Sequence, residues 1–152
     1  MKVNEIFEQY LEIWKDCYLG YVYIPNTSNQ ANYQSLELVI CQQNSYNFFP
    51  WLNFYEDIVL PKMGLHEISM KDFDKLFMLM ANEAIKYGSD KRLEEFELKN
   101  ILDAFHKDFS KPRYYSNFTS NTWSSVTCHA KDRFLCALDS NQIGMWLSCD
   151  DE

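Results

Sequence analysis

Residues 133–149 read RFLCALDSNQIGMWLSC, and this stretch decides the fold. Two mainly apolar runs, Arg133–Asp139 and Gln142–Cys149, flank the polar pair Ser140-Asn141. Asparagine tolerates the left-handed backbone conformation that tight hairpin turns require, so this pair indicates a turn between two strands. The sequence therefore predicts a C-terminal β-hairpin, and with it an antiparallel sheet.

Two earlier runs also have the composition of strands. They are Tyr21–Ile24 and Leu36–Cys41, and residues 25–32 between them are polar and rich in turn formers. Because β-branched and aromatic side chains favour extended backbone, we expect both runs to be strands that pair across a long loop.

The remaining chain predicts helices, because apolar residues recur there at steps of three and four. Ser69 and Asp72 resemble a capping box, Gly88 suits a helix end, and Asp90 is expected to cap the following helix. The predicted helices lie at residues 3–18, 51–59, 70–88, 91–111 and, more briefly, within 120–130. The fold class expected is α+β: a small, mostly antiparallel sheet flanked by four or five helices.

Composition limits what this chain does. Its 152 residues suit one domain, 1–152, and a hydrophobic fraction of 47% excludes disorder. No apolar run is long enough to span a membrane, and a net charge of −8 argues against direct binding of nucleic acid.

Acids interrupt the N-terminal segment, so it does not have the pattern of a secretory signal. We therefore expect a cytoplasmic protein with reduced cysteines.

Chemical motifs are scarce. Metal ligation needs several ligands at short spacing, but the three histidines lie far apart, so we expect no metal. Four scattered glycines cannot build a phosphate-binding loop, so we also expect no cofactor. Cys128, His129 and Asp132 have the residue types of a cysteine nucleophile and its partners, without a supporting signature. We expect a protein that is not an enzyme.

The excess of acid lies at the two ends of the chain. Residues 1–60 carry seven acids and two bases, whereas residues 61–111 carry ten acids and nine bases. In the first predicted helix, spacings of three and four place four acids along one solvent-facing stripe: Glu5, Glu8, Glu12 and Asp16. Like charges at this spacing destabilise a helix, so the stripe is either a solvated face or a binding surface for a basic protein partner.

A second candidate surface lies at the C-terminus. Trp146 precedes the acids Asp150 and Asp151, and an aromatic anchor beside charged residues is common at protein interfaces. A tryptophan in the core followed by a polar chain end accounts for the same residues.

The final stretch reads RFLCALDSNQIGMWLSCDDE, with a Gly-x-Trp pattern followed by three acidic residues at the C-terminus. It resembles the small acidic bacterial immunity proteins of polymorphic-toxin and contact-dependent growth-inhibition systems. The resemblance covers about twenty residues and the overall profile. It implies a protein that binds and neutralises a cognate toxin, in many cases a nuclease. The expected partner is a toxin domain with a basic surface.

Two other functions stay open. One is a phage or mobile-element protein that mimics nucleic acid and inhibits a host enzyme; it predicts acid over most of the surface. The other is a small enzyme using Cys128 and His129, which predicts a thiol of lowered pKa.

Overall fold

A computed structural model describes residues 19–41, 65–88, 94–119, 126 and 131–150. The predicted helices at residues 3–18, 51–59 and within 120–130 lie wholly or almost wholly outside these ranges. The described elements are five strands and three helices. The strands are β1 (Leu19–Pro25), β2 (His66–Ile68), β3 (Arg113–Ser116), β4 (Lys131–Leu138) and β5 (Gln142–Asp150), and the helices are α1 (Tyr33–Cys41), α2 (Met70–Gly88) and α3 (Glu95–Lys107).

The five strands form one antiparallel sheet in the order β1-β5-β4-β3-β2. This confirms the α+β class and the antiparallel sheet. The described part holds three helices, fewer than the four or five predicted. Strands β2 and β3 were not predicted, because runs of three and four residues are too short to show an alternating pattern.

The predicted C-terminal hairpin is confirmed, and its strands β4 and β5 lie in the interior of the sheet. β4 and β5 pair from Leu138 opposite Ile143 to Lys131 opposite Asp150. At the turn, the backbone N–H of Asp139 donates to the carbonyl of Gln142 over 3.1 Å. Because β1 and β3 pair with the outer sides of this hairpin, it orders the whole sheet.

Both faces of the β4–β5 hairpin are buried, because its strands are apolar from Phe134 to Leu138 and from Ile143 to Leu147. On one face, Leu135, Ala137 and Trp146 belong to a core shared with α2 and α3. On the other face, Phe134, Cys136 and Met145 belong to a second core that includes Leu36 of α1. The hairpin therefore forms the scaffold on which the two cores are built.

The stretch Leu36–Cys41 is helical, so the predicted strand and its pairing with Tyr21–Ile24 are wrong. Asn32 caps the helix: its Oδ1 accepts the backbone N–H of Ser35 over 2.9 Å, and its carbonyl accepts that of Leu36 over 3.2 Å. This N-cap starts α1 three residues before the β-rich run, and β-branched residues tolerate a helix once it has begun. Strand β1 pairs with β5 instead.

The ends of α2 agree with the prediction. The hydroxyl of Ser69 accepts the backbone N–H of Asp72 over 3.1 Å, and the helix extends to Gly88. Helix α3 begins later than expected, because Glu94, not Asp90, is its N-cap. Glu94 and Glu97 form a reciprocal capping box, which satisfies two backbone donors of the first turn.

Candidate partner-binding surface

The sequence proposed seven residues for partner binding, and the structure describes two of them. Trp146 lies inside β5, and Asp150 is its last residue, opposite Lys131 in the strand register. The other five lie outside the described residues: Glu5, Glu8, Glu12, Asp16 and Asp151.

Trp146 is a core residue with no exposed surface. Its ring lies 4.7 Å from that of Phe77 on α2 and 4.9 Å from that of Tyr21 on β1, measured between centroids. An anchor for a partner must reach solvent, so we assign Trp146 a packing role. This is the second of the two explanations that the sequence left open for it.

The glycine of the Gly-x-Trp pattern also has a packing role. Gly144 and Trp146 lie two residues apart on β5 and share a face of the sheet. A Cβ on Gly144 would lie 2.7 Å from Cε2 of Phe105 and 2.8 Å from Cζ of Phe109. The absence of a side chain therefore lets the end of α3 pack directly on the sheet.

Two acids near the C-terminus are buried and engaged in internal hydrogen bonds. Asp139 is 2% exposed, and its carboxylate accepts the backbone N–H groups of Ser110, Asn141 and Gln142 over 2.8–3.1 Å. It fixes the β4–β5 turn to the segment that follows α3. A carboxylate held in this way stabilises the fold and is not available to a partner.

Asn26 extends the same network to the segment after β1. Its Nδ2 donates to the carbonyls of Gln30 and Asp139, both over 2.8 Å, and its backbone N–H donates to the carbonyl of Asn141 over 2.9 Å. Three separate loops are thus joined at one end of the sheet. The side chain of Asn26 is 3% exposed, so its sequence pattern Asn-Thr-Ser does not present an acceptor for glycosylation.

Asp132 is the second buried acid, at 1% exposure. Its Oδ1 accepts Nδ2 of Asn117 over 2.8 Å and the backbone N–H of Val126 over 3.1 Å. Asn117 in turn accepts the backbone N–H of Phe134 through Oδ1. These contacts give Asp132 a structural role within β4. Cys128 and His129, its proposed catalytic partners, lie outside the described residues.

One polar side-chain cluster was missed by the sequence analysis. Nε2 of His106 on α3 lies 2.6 Å from Oδ1 of Asp74 on α2, and Nδ1 of His106 lies 3.1 Å from the hydroxyl of Tyr114 on β3. The carboxylate can only accept, so Nε2 carries a proton, and in the neutral ring Nδ1 accepts from the tyrosine. Asp74 and His106 are 32 residues apart, so no local pattern points to this contact.

The Asp74–His106–Tyr114 cluster has the appearance of a proton relay, but its terminal group is not activated. Burial, with a further effect from the charge of Asp74, raises the pKa of Tyr114 to about 12. A tyrosine acting as base or nucleophile needs a lowered pKa, nearer neutrality. The two contacts of His106 join α2, α3 and β3, and this geometry gives the cluster a structural role.

Cys136 is similarly unreactive. It is buried in β4 and is not in a disulfide, and burial raises the pKa of its thiol. The thiolate is the reactive form of cysteine, so this position does not suit covalent chemistry. Among the described residues, no group of three or more histidines, cysteines and acids is placed to hold a metal ion.

The sequences of the two long helices are close to electrically balanced. Together α2 and α3 carry six acids and five bases, and Glu95 pairs with Lys99 over 3.6 Å on the surface of α3. Phe96 is the largest exposed apolar residue of this region, at 64%.

Of the helices that the structure describes, none combines the length and the apolar character that crossing a bilayer requires.

Comparison with known proteins adds no assignment. No family model matches the chain, and neither a curated protein nor a solved structure matches it.

Proposed function

We propose that this chain is a cytoplasmic immunity protein that binds and neutralises a cognate toxin domain through an acidic surface. The observation that carries the proposal is the stripe of Glu5, Glu8, Glu12 and Asp16 within a segment that has an excess of five acids over bases. In the helix that the sequence predicts here, like charges at this spacing would be destabilising, and Lys15 is the one base within residues 5–16.

The described residues support placing the binding surface at the start of the chain. Asp132 and Asp139 contribute to the net charge but are buried, which leaves less acid on the surface near the C-terminus. Helices α2 and α3 are nearly balanced. A nucleic-acid mimic would carry acid over these helices as well, so their balance favours a local patch over mimicry.

The physical mechanism is occupation of a basic groove. A toxin that acts on nucleic acid holds the phosphate backbone with lysine and arginine. An acidic surface complements such a groove, accelerates the encounter by electrostatic steering and excludes the substrate once bound. Because steering is screened by salt, the contribution of the stripe to the association rate is largest at low ionic strength.

The direct test is to look for a toxin gene with a variable C-terminal domain next to this gene, to co-express the chain with that domain and to isolate the complex. Association is then measured by stopped-flow fluorescence at low and high salt. We expect the double variant Glu8→Lys/Glu12→Lys to associate about tenfold more slowly at low salt, with a smaller difference at high salt. Its melting temperature should stay within a few degrees of the parent.

A matched control separates the stripe from total charge. Glu37 and Asp103 are exposed on α1 and α3, and the variant Glu37→Lys/Asp103→Lys changes the net charge by the same amount. Equal slowing in both double variants would mean that only net charge matters and would remove the stripe from the proposal. Failure of every neighbouring toxin domain to bind would refute the immunity function itself.

Labelling of cysteine distinguishes the enzyme alternative. Rapid alkylation of Cys128 near neutral pH in the folded protein would indicate an activated thiol and would favour catalysis. We expect Cys128 to react slowly until denaturant is added.

A further inference from the structure

We draw no further inference here: the strongest candidate, the exposed ring of Phe96 in the first turn of α3, carries nothing, because Glu94 and Glu97 beside it form the helix cap, Glu95 pairs with Lys99, and nothing in the described residues shows what covers the ring.

Discussion

Replacing Gly144 with alanine tests whether the Gly-x-Trp pattern serves packing. The added Cβ would lie 2.7 and 2.9 Å from two ring carbons of Phe105, and 2.8 Å from Cζ of Phe109. Carbon atoms in contact prefer about 3.5–4.0 Å, so the rings would have to move by roughly 0.7–1 Å. Phe105 has no exposed surface and stacks on Phe73 at 5.5 Å, which leaves it little room.

The expected cost follows from two opposing effects. Overpacking of a core costs about 1–3 kcal/mol. Alanine also has less conformational freedom than glycine in the unfolded chain, which favours the folded state by about 0.4–1 kcal/mol. The central values of the two effects leave a net loss of about 1.3 kcal/mol in the free energy of unfolding for Gly144→Ala, or roughly 3–5 °C in the melting temperature of a domain this size.

Urea unfolding monitored by tryptophan fluorescence measures this change, because Trp146 lies on the same face of the sheet as Gly144. The double variant Gly144→Ala/Phe109→Leu is the companion experiment. A smaller side chain at position 109 makes room for the Cβ, so the alanine should cost less in that background than in the parent. If Gly144→Ala is as stable as the parent or more stable, the packing explanation fails.

Three further predictions concern polar groups in the core. The buried hydroxyl of Tyr23 has no hydrogen-bond partner among the described residues, whereas the hydroxyl of Tyr114 bonds to His106. We therefore expect Tyr23→Phe to raise the free energy of unfolding and Tyr114→Phe to lower it, each by about 1 kcal/mol in urea unfolding. Changes in the same direction would contradict these hydrogen-bond assignments. Raised pKa values for Tyr114 and Cys136 mean that the folded protein retains protons that the unfolded chain loses, so stability should fall as pH rises above about 9–10. A urea midpoint that does not change between pH 8 and pH 11 would disprove this. Asp139→Ala removes the acceptor of three backbone N–H groups and should lower the free energy of unfolding by about 2–4 kcal/mol. The same change at the exposed Asp103 should lower it by less than about 0.5 kcal/mol. Similar melting temperatures for the two variants would rule out the structural role of Asp139.

The burial of Trp146, Asp132 and Asp139 changes how the C-terminal region is interpreted. From the sequence, an aromatic residue and several acids near the chain end suggested an interface. In the structure the aromatic ring fills the core. Two other acids, Asp132 and Asp139, accept backbone N–H groups of loops. The side chains of Asp150 and Asp151, the acids that the sequence singled out, lie outside the described residues. Gly144 and Trp146, which form the Gly-x-Trp pattern of this region, therefore build the sheet. The acidic stripe near the start of the chain is the first surface to test for function, and Asp150 and Asp151 stay a second prediction.

Local patterns predicted the elements whose formation depends on neighbours in the chain. The hairpin around Ser140-Asn141 was predicted because turn chemistry and apolar runs act within a few residues. The same holds for α2, where Ser69 caps the helix and Gly88 ends it. The run Leu36–Cys41 was assigned wrongly, because its composition favours a strand while the cap at Asn32 commits the chain to a helix.

The sequence by itself determined the α+β class, the C-terminal hairpin and the uneven distribution of acid, because each depends on composition or on contacts within a short stretch. Only the tertiary structure decided that Trp146 faces the core, that Asp139 joins three loops and that Asp74 meets His106. Those outcomes depend on which surfaces the folded chain brings together over distances of about 30 residues or more. A single sequence carries no local signal for such contacts, because burial and hydrogen bonding are properties of the packed chain.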